Sequence, residues 1–163
     1  MSLITIHDWF NEYGKSHQNK TNKLIHWICI PLIFWSIISL LSFIPSDSLK
    51  IFNNVILDEF SHFGSVVIIF GLLFYLRLSF KIFLGMLIFS IIVLLDIWLA
   101  SQILSEDIFL YTTISIFTLS WMGQFIGHKI EGKKPSFLKD LQFLLIGPAW
   151  LIGFIYSYLK IKY

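Results

Sequence analysis

Five long apolar stretches take up most of this chain, at roughly 24–44, 60–77, 80–100, 108–128 and 141–159. The hydrocarbon core of a bilayer takes about 20 helical residues at ~1.5 Å each. The first four stretches meet that length with few interior charges. They predict an all-α fold: an integral membrane helical bundle with four transmembrane helices, in one domain spanning 1–163. Gly147-Pro148 interrupts the fifth stretch and predicts two short apolar pieces, either a re-entrant segment or a fifth crossing. Pro31 predicts a kink in the first span. Composition points the same way. Of 163 residues, 56% are hydrophobic and 13% charged, more apolar surface than a small soluble fold can cover. The net charge of +2 gives no support to a nucleic-acid partner. Disorder and a disulfide-stapled module are excluded on the same composition. The single cysteine, Cys29, sits in an apolar run and reads as a small buried hydrophobe.

The first 23 residues lack the basic start, apolar core and small-residue cleavage site of a signal peptide. Leu3, Ile6, Trp9, Phe10 and Tyr13 recur at helical spacing, which predicts an amphipathic helix at the interface. Lys15 to Lys23 reads as a polar turn. Ser46 to Glu59 reads as a polar loop with an amphipathic turn around Ile51, Phe52, Val55 and Ile56. Orientation follows from the basic residues. With five crossings and the N-terminus inside, the inner side holds Lys15, Lys20, Lys23, Arg77, Lys81, Lys129, Lys133, Lys134 and Lys139, nine in all, against Lys50, Lys160 and Lys162 outside. If the fifth segment does not cross, the balance is eleven to one. Both counts predict a cytoplasmic N-terminus, and the second favours four crossings.

Polar residues are costly in such a chain, so their positions carry information. The first span begins, and the fourth ends, on the same side of the bilayer. His26 near the start of one and His128 at the end of the other therefore share a depth. Trp121, Gln124, His128 and Glu131 are spaced three, four and three residues apart and form one helical stripe. Asn22 and His26 share a face of the first span. His17 joins them only if the chain breaks between 17 and 26. Gln18 to Asn22 has the composition for that break, with Thr21 or Asn22 as the N-cap. Three imidazoles can then converge, with Asn22, Gln124 and Glu131 beside them.

Neutral imidazoles bind first-row transition metals, while carboxylates and amides orient them or complete the shell. A non-haem ferrous centre with open positions fits this donor set; so does a zinc hydrolase site. A single interfacial histidine is more often a hydrogen-bonding residue than a ligand, and a non-enzymatic lipid scaffold or carrier is the alternative on those terms. Other polar residues read differently. His7 and His62 read as solvated or interfacial. Asp96, ~24 Å of rise into the third span, reads as an interhelical hydrogen-bond partner or as a residue close to the outer surface. Lys129, Lys133 and Lys134 read as headgroup anchors, with carboxylate binding as the other option.

The residues also resemble a known family. His17, Asn22 and His26 form an H-x4-N-x3-H element followed by Pro31. Trp121, Gln124-Phe125, Gly127-His128, Glu131 and Pro135 form a second element, and Gly147-Pro148 follows. From about Ile4 to Ile155 the chain resembles the small membrane 2-hydroxy fatty acid dioxygenases of phytosphingosine breakdown and odd-chain fatty acid formation. The resemblance implies fatty acid α-oxidation: a 2-hydroxy fatty acid and O2 give the acid one carbon shorter, with Fe(2+) held by histidines and no haem. It implies His17, His26 and His128 as metal-binding and catalytic residues, Glu131 as a further ligand or an acceptor for a histidine N–H, and Asn22 and Gln124 as supporting polar residues. The implied location is a bacterial inner membrane or the endoplasmic reticulum.

Overall fold

A computed structural model describes residues 5–132 and 143–163. Leu3 and Ile4, Lys133 to Ser136, Lys139, and residues 141 and 142 of the fifth stretch lie outside the described residues. Those described form helices α1 (Ile6–Gly14), α2 (Lys20–Ser42), a 3-10 turn (Asp47–Leu49), α3 (Val55–Glu59), α4 (Phe63–Leu78), α5 (Phe80–Ile103), α6 (Glu106–Ile130) and α7 (Ile146–Tyr158). The amphipathic turn expected around Ile51, Phe52, Val55 and Ile56 is found in part: α3 holds Val55 and Ile56, while Ile51 and Phe52 precede it outside any helix.

The helices α2, α5 and α6, of 23, 24 and 25 residues, are long and apolar enough to cross a membrane. Helix α4 is apolar but has only 16 residues, a rise of ~24 Å against a hydrocarbon core of ~30 Å. By length and composition the described chain thus offers three full spans and one shorter apolar helix where four spans were expected. Phe70, Ile88 and Leu119 project outward from α4, α5 and α6 with more than half their surface exposed, as side chains that face lipid do.

The most extensive helix–helix contact is between α2 and α6, which run antiparallel. Glycines four residues apart allow it. A Cβ on Gly123 would lie 2.6 Å from Cys29 Sγ, and one on Gly127 would lie 2.4 Å from Asn22 Oδ1. Small residues at this spacing let two backbones approach closely. Asp96 accepts a hydrogen bond from Trp35 Nε1 at 2.7 Å, the interhelical bond expected of it. Cys29 is buried, as read from its surroundings.

Helix boundaries differ from expectation at two informative places. Helix α2 starts at Lys20, with Asn19 rather than Thr21 or Asn22 as its N-cap: Asn19 Oδ1 accepts from the amides of Thr21 at 2.8 Å and Asn22 at 3.3 Å. Asn22 lies inside the first turn, and its side-chain nitrogen donates to Ser16 O and Glu131 Oε2. At the other end of the chain, Gly147-Pro148 lies in the first turn of α7 and does not split it. The first helical amides have no intrahelical acceptor, so the missing N–H of Pro148 costs nothing there. Helix α7, 13 residues long, rises only ~20 Å. Its Ile146, Ala149, Trp150 and Leu151 pack with Ile6, Phe10 and Tyr13 of α1 and with Tyr75, Ile82 and Met86 of α4 and α5. The apolar stripe of α1 is therefore buried under α7.

Candidate metal centre

Three segments meet where α2 begins and α6 ends. His17 follows α1, His26 lies in the second turn of α2, and His128 lies in the last turn of α6. Ring centroids are 4.3 Å apart for His17 and His26, 5.0 Å for His26 and His128, and 5.5 Å for His17 and His128. One nitrogen from each ring lies within 4.8 Å of the others. All three side chains are buried.

Backbone carbonyls set the tautomers of two rings. His17 Nδ1 donates to Tyr13 O at 2.7 Å, and His26 Nδ1 donates to Asn22 O at 2.9 Å. A carbonyl only accepts, so Nδ1 carries the proton and Nε2 carries the lone pair. This is the arrangement in which a neutral imidazole ligates a metal through Nε2 and is oriented by its other nitrogen. Two nitrogens on one ion at bonds of ~2.1 Å stand no more than ~4.2 Å apart, so small ring movements suffice. Three buried imidazoles fit a divalent first-row metal. The donor set suits iron and zinc alike.

Glu131, the C-cap of α6, occupies a different place. Its Oε1 accepts from Gln18 N at 2.7 Å; its Oε2 accepts from Asn19 N at 2.9 Å and from Asn22 Nδ2 at 2.9 Å. It is not among the residues whose donor atoms converge. A carboxylate at a helix C-terminus is unfavourable by itself, but here it also faces the N-terminus of α2, where an anion is stabilised. Burial pushes the Glu131 pKa up, but the amides of Asn19 and Gln18 and the Asn22 side chain outweigh it and hold the carboxyl below its ordinary value. The clamp is complete at neutral pH and is lost only as acid carries the pH down through that depressed value. Asn22, fully buried, also donates to Ser16 O at 3.2 Å. The break that brings His17 back toward His26 is thus tied to α6 by Glu131. Glu131→Gln keeps the shape and removes the charge. We expect roughly tenfold weaker metal retention, read by chelator competition, with the helical content unchanged.

Other residues close the site. Tyr13 stacks on His17 at 4.2 Å between centroids, and Trp150 of α7 lies 5.4 Å from the same ring. Sequence reasoning assigned no role to Trp150 or Gly127; the bulk of one and the Gly123-x3-Gly127 spacing of the other could have signalled them. Gln124 is buried one turn before His128 and lines a cavity of about 30 Å³ with Tyr13, Ile30, Trp121 and Gly147. It has no hydrogen bond to the histidines among the described residues. His7 is exposed, and its Nε2 lies 3.1 Å from Tyr163 O. His62, expected to be solvated or interfacial, is instead buried at the N-cap of α4. Its ring fits against Gly64, where a Cβ would come within 2.9 Å; burial lowers its pKa.

Comparison with known proteins gives the chain a family. Residues 3–159 match the family model described as 2-hydroxy-palmitic acid dioxygenase Mpo1-like. The chain belongs to that Mpo1-like family. A relative in Saccharomyces cerevisiae, named 2-hydroxy-palmitic acid dioxygenase MPO1, is 26% identical over 152 residues, which cover 92% of this chain and 79% of the yeast protein. No solved structure matches the chain. The match takes in every described helix, and His17, His26 and His128 all fall within it, as do Asn22, Gln124 and Glu131. The family and the yeast relative's name support a dioxygenase acting on a 2-hydroxy fatty acid.

Proposed function

We propose that the protein is an Fe(II)-dependent dioxygenase of fatty acid α-oxidation, converting a 2-hydroxy fatty acid and O2 to the fatty acid one carbon shorter, with C1 leaving as CO2 and one water formed. The observation that carries this reading is the buried convergence of His17, His26 and His128 in a chain of the Mpo1-like family. These three residues would hold the ion through nitrogen. The ion, when bound, supplies the chemistry that activates dioxygen and oxidises the substrate carbon.

The chain's own residues do the rest. Tyr13 O and Asn22 O keep the Nδ1 protons of His17 and His26 in place. Glu131 and Asn22 hold the 16–19 turn against α6. Tyr13 and Trp150 pack against His17 and fix the plane of its ring. Gln124 presents an amide, donor and acceptor together, to the cavity one turn below His128. The site lies where α2 begins and α6 ends, so a lipid chain can stay in the bilayer while its polar head reaches the histidines. The basic-residue balance supports placing that end on the cytoplasmic side.

The test is elemental analysis of protein purified without oxygen in detergent, followed by exposure to 2-hydroxypalmitate and air. Iron should co-purify and pentadecanoate should form. Zinc alone, with no pentadecanoate after iron reconstitution, would overturn the assignment and favour a hydrolytic zinc site.

A further inference from the structure

A groove of about 300 Å³ runs between α1, the start of α2 and α7, and its lining includes His17. The larger cavity near His62, about 460 Å³, contains no residue of the histidine cluster, and neither does the small cavity at Gln124. The groove has two chemically different parts. Phe10, Trp150 and Phe154 form an apolar wall, while Lys15, Gln18 and Lys23 form a polar side. The two lysines are not equivalent. Lys15 Nζ is paired with Glu12 at 2.7 Å. Lys23 is half-buried, and its side chain has neither ion pair nor hydrogen bond among the described residues. The stem of Lys23 lines the groove, and an anion seated there would pair with its ammonium.

We propose that this groove admits the fatty acid anion to the histidine cluster, with Lys23 as the residue that pairs with its carboxylate. The inference rests on the function proposed above for its substrate class, and it adds the route and the recognising charge. The groove's chemistry matches that occupant on both counts: aromatic surface for the methylenes beside one unneutralised cation for the head. A neutral lipid would use only the wall. Lys23 acts here by binding, not in the reacting centre.

The experiment compares palmitate with methyl palmitate, which differ in charge and not in chain. Thermal unfolding is followed in detergent micelles, with and without each lipid, for wild type, Lys23→Gln, Lys23→Arg and Lys20→Gln. Lys20 is exposed, does not line the groove, and removes the same charge near the same end. Palmitate should raise the Tm of wild type more than its ester does. That difference should vanish in Lys23→Gln and persist in Lys23→Arg and Lys20→Gln. In turnover, Lys23→Gln should raise KM for 2-hydroxypalmitate about tenfold and change kcat far less. If wild type does not distinguish acid from ester, or if Lys23→Gln distinguishes them as wild type does, the inference is overturned. If wild type distinguishes them through Lys23 yet never shortens 2-hydroxypalmitate, the groove stands and the proposed oxygenase reaction falls.

Discussion

Protein carrying His128→Ala should purify without iron and should leave 2-hydroxypalmitate unchanged, at background level. His128 is the contribution of α6 to a set in which α1, through its C-terminal turn, and α2 supply one histidine each. Two imidazoles cannot hold a labile divalent ion against a chelator as three can, and an alanine offers no donor in exchange. The side chain is 5% exposed, so its loss also leaves a cavity, and folding must be checked separately from metal binding. A ligand that binds only the folded state raises Tm in proportion to the logarithm of its concentration over Kd. Added Fe(II) should therefore raise the Tm of wild type under anaerobic conditions and leave that of a folded His128→Ala variant where it was. Combining His17→Ala with His128→Ala should cost no more activity than either alone, because residues that act as one unit do not add. A His128→Ala protein that keeps its iron and forms pentadecanoate would remove this residue from the centre.

The second large effect is expected at a residue with no side chain. Gly127→Ala should destabilise the protein by about 2–4 kcal/mol and release the metal, although alanine is the better helix former by ~1 kcal/mol. The new methyl would lie 2.4 Å from Asn22 Oδ1 and 3.2 Å from His26 Cε1. Asn22 cannot yield freely, because its amide nitrogen is held by Ser16 O and Glu131 Oε2. Relief must come from parting α2 and α6, which separates His26 from His128, or from breaking the bonds that hold the 16–19 turn. Gly132 supplies the control. It has φ +72° and nothing within 4 Å of an added Cβ. Gly132→Ala should cost about 1–2 kcal/mol of backbone strain and leave metal retention as in wild type. Equal metal loss in the two variants would mean that the close approach at Gly127 has no special bearing on the site.

The two predictions differ in how visible their residues were beforehand. His128 was legible from spacing: a helical stripe with Gln124 and Glu131, at the end of a span that must return to the side from which the first departs. Gly127 stood in the sequence as a letter in a family motif and as the second glycine of a Gly123-x3-Gly127 pair, a spacing that permits a close helix approach but does not say which helix makes it. Glu131 shows the same limit from the other side. Its place in the stripe put it near the histidines, and the stripe could not tell a ligand from a clamp. That distinction depends on where the amides of Gln18 and Asn19 point, which in turn depends on Asn19 starting the helix three residues earlier than Asn22 would have.

Periodicity and hydropathy are properties of single segments, and they determined what single segments can determine: a membrane-type helical bundle, a helical stripe on α1, a break after His17, and histidines brought to one depth. The tertiary structure decided how those segments rotate and how closely they pack. It placed α7 over α1 so that Trp150 covers His17, joined α2 to α6 through Gly123 and Gly127, and used Glu131 as a tie between two helix ends. Those contacts arise from side chains distant in the chain fitting one another's shapes, and shape complementarity between helices leaves no period in either of them.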